Sequence, residues 1–224
     1  MKILLIAGHG NGDPGAVGNG YKEADLTREV VKLVAAKLSA YGTGDVLDTA
    51  NNWYRHICVN GGYFNFKPYD YVLEIHFNSA AGTKADGTTT GTEIYVTTAE
   101  KTVAVEENIV KGIASLGFKN RGVKAKNFDL IKHIKNQGVS SALLEVCFIS
   151  DADDMKLYAS KKNEIADAIV KGIADGFKLG KTTSAPWYAE AQKWAMEKGI
   201  SDGTRPNDTA TRAEVWAMLQ RLKG

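Results

Sequence analysis

Apolar residues come in short unbroken runs separated by stretches of helical period. Ile3–Ala7 is apolar throughout and reads as a strand buried on both faces. Leu26, Val30, Val31, Val34 and Leu38 then recur at the spacing of an amphipathic helix, with Asp25 as its expected N-cap and Gly42 and Gly44 beyond its end. Asp45–Thr49 is a candidate short strand. Tyr69–Ile75 and Thr92–Thr97, rich in β-branched and aromatic residues, predict two more, and Ala142–Phe148 predicts a further buried one. Helical periodicity returns over Val103–Leu116 and Ile165–Phe177. Strands alternating with helices of this length predict an α/β domain, an open and mostly parallel sheet with helices on both faces. In such sheets function gathers at the carboxyl ends of the strands.

The polar, helix-breaking stretch from Lys181 to Pro186 divides the chain. The expected organisation is a main domain over 1–180, a linker over 181–186, and a small all-α segment over 187–224. That segment holds two short helices, around Tyr188–Glu197 and Arg212–Leu222. About forty residues make a marginal core, so the segment is expected to need a partner surface, either a second copy of itself or the main domain.

Composition narrows the classes. Of 224 residues, 28 are Lys or Arg and 26 Asp or Glu, a balance too even for nucleic-acid binding through bulk charge. No stretch approaches the roughly 20 apolar residues of a membrane span. The first apolar run meets Gly8-His9-Gly10 where a secretory signal would continue, so no targeting segment is expected and synthesis in the cytosol is. Cys58 and Cys147 are too few for a disulfide framework and read as inert thiols.

Four polar residues sit where chemistry would collect. His9 follows the first strand, His76 ends the apolar run Tyr71–Ile75, Glu145 interrupts the apolar Leu143–Ile149, and Glu23 lies at the junction into the first helix. A carboxylate in so apolar a strand needs a metal, a cation or a proton to satisfy it. Two histidines and a carboxylate form a zinc ligand set with one position left open. On spacing alone, strand-end histidines and a salt-bridged core acid explain the pattern equally well. A glycosidase pair of Glu74 and Glu145 would leave both histidines unexplained. Gly10–Gly15 matches a dinucleotide glycine pattern, but its last glycine does not open a helix, so nucleotide binding is not expected. His56 and His133 lack partners at ligand spacing, and Asp151, Asp153 and Asp154 read as an acidic cap on the helix that follows.

The segments Ala7-Gly8-His9-Gly10, Asp13-Pro14-Gly15-Ala16, Gly20 and Glu23, then Glu74-Ile75-His76-Phe77-Asn78-Ser79, then Leu144–Ser150, come in that order. Together with Arg121-Gly122-Val123-Lys124 they resemble the zinc-dependent N-acetylmuramoyl-L-alanine amidases of bacterial autolysins and phage lysins. The likeness covers roughly residues 1–178. It implies Zn2+ held by His9, Glu23 and His76, with Glu145 as the catalytic proton shuttle. The implied substrate is peptidoglycan, cut between muramic acid and the L-alanine of the stem peptide. Asn78 either donates to substrate or caps its strand end. Cys147 departs from the family's usual glycine, which bears on local packing or a reactive thiol and not on the reaction.

The C-terminal segment resembles a single S-layer-homology repeat, carried by Gly199-Ile200-Ser201-Asp202-Gly203 and Thr211-Arg212-Ala213-Glu214. Trp187, Trp194 and Arg212 are then either a cell-wall-binding site for an anionic secondary cell-wall polymer, or core aromatics with an ion pair to Glu214. Self-association into a homo-oligomer would supply the missing core and the missing repeats. The combined expectation is an endolysin of phage type, or a mother-cell lytic enzyme, acting at the bacterial cell wall after release. Two alternatives stay open: a wall-binding module with an inactive amidase domain, and a zinc peptidase cutting within the stem.

Overall fold

The computed structural model describes residues 1–80, 89–181, 188–201 and 210–221. The strands are β1 (Ile3–Ala7), β2 (Val17–Gly18), β3 (Tyr21–Lys22), β4 (Asp45–Val46), β5 (Tyr71–Asn78), β6 (Thr92–Val96), β7 (Asn120–Ala125) and β8 (Ser140–Phe148). Six of them form one sheet in the order β4-β1-β5-β8-β6-β7, while β2 and β3 make a separate small hairpin. Every pairing in the large sheet is parallel except β6 with β8. The helices of the main unit are α1 (Glu23–Leu38), α2 (Ala104–Ala114), α3 (Asp129–Asn136) and α4 (Ala152–Phe177).

Side-chain alternation along the strands builds two unequal cores. On one face Leu5, Leu73, Ile75, Ile94, Leu144 and Val146 pack against α1, α2 and α4 through residues such as Val34, Ile109 and Ile169. On the other face Leu4, Ile6 and Val72 meet Leu130 and Ile134 of α3, with Ile57 and Phe66 from the segment before β5. This second core is the smaller. Further along the same strand faces the apolar residues give way to Glu74, His76, Glu145 and Glu93, and there the cleft lies.

Several expectations are corrected. The first helix begins at Glu23 and has no side-chain cap, so Asp25 sits inside its first turn and is not the N-cap. The strand expected over Asp45–Thr49 pairs only at Asp45 and Val46. The strand placed at Tyr69–Ile75 runs over Tyr71–Asn78, which puts His76 within it and not beyond its end. Two elements carry too weak a pattern to announce themselves: β7 is a half-exposed edge strand of polar composition, and α3 has only eight residues. The last helix of the main unit starts thirteen residues earlier than its periodicity suggests, because Lys161 leaves helical geometry and breaks the period midway. Its cap is as expected: the Asp151 carboxylate accepts the Asp154 N–H at 2.8 Å.

The chain divides into two compact units, Met1–Lys181 and Thr182–Gly224. The second holds α5 (Ala189–Glu197) and α6 (Arg212–Arg221). Thr211 and Glu214 form a reciprocal capping box at the start of α6, the Glu214 N–H reaching Thr211 Oγ1 at 3.2 Å and the Thr211 N–H reaching Glu214 Oε2 at 2.7 Å. Among the described residues no helix is long and apolar enough to cross a membrane.

Candidate active site

His9 sits in the left-handed region, φ 58°, two residues past the end of β1. Its loop is pinned from α1. Thr27 Oγ1 and Arg28 Nη1 each donate to the Gly8 carbonyl at 2.9 Å, and Arg28 Nη2 donates to the His9 carbonyl at 2.9 Å. Gly8 has to be glycine, because a Cβ there would lie 2.3 Å from His76 Cε1. Gly15 is under the same constraint: at φ +65° its Cβ would lie 2.7 Å from both Glu23 Oε2 and His9 Cδ2.

Glu23, buried at the first position of α1, joins the two imidazoles. Its Oε1 lies 2.8 Å from His76 Nδ1 and accepts the Phe77 N–H at 3.0 Å. Its Oε2 lies 3.1 Å from His9 Nε2 and accepts the Ala16 N–H at 2.9 Å. The two rings stand edge to face, centroids 4.9 Å apart. One ligand atom from each of His9, Glu23 and His76 falls within 4.8 Å of the others, although the residues come from a loop, a helix and a strand.

The outer ring nitrogens also face carboxylates. His9 Nδ1 is 3.0 Å from Asp13 Oδ2, which accepts from the buried Asn52 Nδ2 at 3.0 Å, and His76 Nε2 is 3.0 Å from Glu74 Oε1. Histidines that ligate metals are held in this way, the second nitrogen donating to an acid that fixes tautomer and ring plane. The donor set therefore fits a divalent ion such as zinc. Electrostatics agree. Burial alone would raise the Glu23 carboxyl, yet hydrogen bonds from His76 and His9 hold it far below the usual carboxylate range. Burial alone would lower both imidazoles, yet Glu23 raises His9, and Glu74 with Glu23 raises His76 well above its ordinary value. Three carboxylates, Asp13, Glu23 and Glu74, thus surround two imidazoles, an excess of negative charge that a dication offsets.

Glu145 lies beside this cluster, opposite His76 in the β5–β8 register. Its Oε2 is buried and has no hydrogen-bond partner. Burial pushes its carboxyl up to about 7, with Glu23, Glu93 and Glu74 adding to the rise against the pull of His76. His9, His76 and Glu145 line one cavity of about 320 Å³, whose walls include Tyr54, Phe128 and Leu143.

The remaining predicted residues are placed as follows. Asn78 spends its amide locally, Nδ2 donating to Glu93 Oε1 at 2.7 Å and Oδ1 accepting the Ser79 N–H at 2.8 Å. Burial raises the Cys147 thiol well above its ordinary range and pushes Cys58 up to about 11, so both are unreactive at neutral pH. His56 packs on Trp53 and His133 contacts Gln137, and neither belongs to the ligand cluster. Trp187 lies outside the described residues. Trp194 is half exposed and so is not a core aromatic, while the Arg212 guanidinium stands 5.7 Å from the Trp216 ring. Sequence reasoning assigned no role to Arg28, Asn52 or Glu93. Asp13 stood inside a quoted motif, but nothing in its neighbours marked it as the partner of His9.

The family model for N-acetylmuramoyl-L-alanine amidase matches residues 3–175. The chain is 31% identical to the N-acetylmuramoyl-L-alanine amidase LytC of Bacillus subtilis, over 78% of this chain and 34% of that protein. It is 29% identical to the endolysin of Bacillus phage SPP1, over 82% of this chain and 69% of that one. Among solved structures, the N-acetylmuramoyl-L-alanine amidase AmiC2 of Nostoc punctiforme superposes with a TM-score of 0.65 at 23% identity, covering 80% of this chain and 97% of that chain. The chain therefore spans about a third of the length of LytC.

Proposed function

Because the chain belongs to the N-acetylmuramoyl-L-alanine amidase family, we propose that it hydrolyses the amide between N-acetylmuramic acid and the L-alanine of the peptidoglycan stem, as a zinc enzyme. The observation that carries this reading is the convergence of His9, Glu23 and His76 beside a buried Glu145 oxygen that has no partner. Zinc, when bound, supplies Lewis acidity, lowering the pKa of water from about 15.7 to about 7 and polarising a carbonyl. His9, Glu23 and His76 would hold it, with Asp13 and Glu74 fixing the two rings.

Glu145 carries the proton. A carboxyl titrating near neutrality is suited to take a proton from the attacking water and return it to the departing alanine nitrogen. The C–O bond forms as the C–N bond breaks, and the carboxyl ends as it began. Phe128 and Leu143 give the cavity an apolar wall beside these polar groups. In this reading Asn78, two residues past His76 on β5 and hydrogen-bonded to Glu93 Oε1, meets substrate.

The second unit serves as a wall anchor in this proposal, with Trp194 and Arg212, and Trp187 beyond the described residues, contacting an anionic wall polymer. The exposed rings of Trp194 and Trp216 support it. An endolysin or autolysin working on the cell wall is the corresponding biological role, with oligomerisation through the second unit as a means of avidity. Digestion of purified Gram-positive walls tests the reaction. Turbidity loss with new N-terminal alanine and no new reducing ends is expected; new reducing ends, or other new N-termini, would refute it.

A further inference from the structure

The proposed hydrolysis uses one half of the cleft floor, from His9 through His76 to Glu145. The sheet continues past Glu145 onto β6 and β7, and the side chains there have no part in that reaction. Glu93 lies opposite Glu145 in the antiparallel β6–β8 register, so the two share a face, and Tyr95 shares it two residues on. The Glu93 carboxylate is buried and fully engaged. Oε1 accepts from Asn78 Nδ2 at 2.7 Å and from the Tyr95 hydroxyl at 2.8 Å, while Oε2 accepts from Arg121 Nε at 2.7 Å and from Lys124 Nζ.

Three cations follow one another here, each laid over an aromatic ring. Arg121 stands 4.8 Å from the Phe148 ring centre, Lys124 5.6 Å from Tyr95, and Lys126 4.2 Å from Phe128. Tyr95 in turn meets Phe128 edge to face at 4.9 Å, and Phe128 lines the catalytic cavity. Among the described residues these cations ion-pair with one carboxylate, Glu93, which takes Arg121 and Lys124, so the three carry more charge than their direct partner offsets. The rings and Glu93 fix the stems, yet the Lys124 side chain remains 38% exposed. Cations held this way reach an incoming anion with little further loss of rotamer freedom.

The geometry points to a carboxylate-recognising subsite on β6 and β7, in which Lys124 and Lys126, with Arg121 behind them, hold a free carboxylate on the peptide side of the scissile amide. This rests on the amidase reading given above. The glycan side offers no charge there, because the lactyl carboxyl is consumed in the amide, whereas an unblocked stem peptide ends in a carboxylate. The preferred substrate class is therefore a muramoyl peptide with a free carboxylate, over the same compound capped as an amide.

The test compares a soluble muramoyl tripeptide with its C-terminal carboxamide, by kcat/KM on the full chain. The free tripeptide and its carboxamide are compared in parallel by calorimetric Kd. A preference of about tenfold for the acid is expected in both measurements, the worth of one charge-assisted hydrogen bond. Lys124→Met should bring the ratio towards one, and Lys126→Met should lower it as well. Lys111→Met, on α2, should leave it in place. Equal values for acid and amide with the parent protein would overturn the subsite, as would a preference that survives both cleft variants. If neither muramoyl compound is cleaved while the acid peptide still binds preferentially, the subsite stands and the amidase reading falls.

Discussion

Replacing Glu145 by glutamine sets stability against activity at a single atom. The side chain keeps its shape and loses its charge. In the metal-free protein burial lifts the Glu145 carboxyl from its ordinary 4.5 to about 7, and at about 1.36 kcal/mol per pK unit the charged form is disfavoured by at most about 3 kcal/mol. The sign follows from proton uptake: between those two values the folded chain binds the proton that the unfolded chain has released. The contribution of this group to stability is therefore fully present below about pH 4.5, falls as pH rises towards 7, and stays low above it. The Glu145→Gln chain has no such loss. Urea unfolding of both proteins in chelator, from pH 5 to 8, should show the variant gaining on the parent by up to about 3 kcal/mol. The same variant, loaded with zinc, should lose about 10²- to 10⁴-fold in kcat. Parallel stability curves for the two chains would refute the buried-charge argument, and near-parental turnover would refute the proton-shuttle role.

Three other perturbations probe the supporting structure. Asp13→Ala removes the acid that holds His9 Nδ1 and should weaken zinc affinity about 10- to 100-fold in chelator competition, leaving the fold intact by circular dichroism. Gly15→Ala places a methyl 2.7 Å from Glu23 Oε2 at a left-handed φ; about 1–2 kcal/mol of backbone strain and a displaced ligand should lower both the thermal midpoint and zinc affinity. Thr211→Ala opens the capping box of α6 at a cost of about 1 kcal/mol, read as faster hydrogen exchange at the Glu214 amide, and an unchanged rate would contradict the cap.

What could be read from the sequence followed the physics of burial. The β1, β5 and β8 strands are apolar on both sides, so their hydrophobic runs are continuous, and His76 and Glu145 stand out within them. Half-exposed β7 has no such contrast, although it carries Arg121 and Lys124. The antiparallel direction of β6 was hidden too, since strand direction follows from the connections and leaves no mark in composition. The ligands were legible as residue types with a family resemblance. Their support was not. Arg28 spans from α1 to the carbonyls of Gly8 and His9, and Asn52 reaches Asp13 across 39 positions, contacts that only the fold creates.

Metal content decides the central claim. Elemental analysis of the purified chain should give one zinc per molecule in the parent and in Glu145→Ala, and none in His9→Ala or His76→Ala. Zinc retained after loss of either histidine, or a parent that takes up no divalent ion at all, would contradict the assignment of His9, Glu23 and His76 as one metal centre.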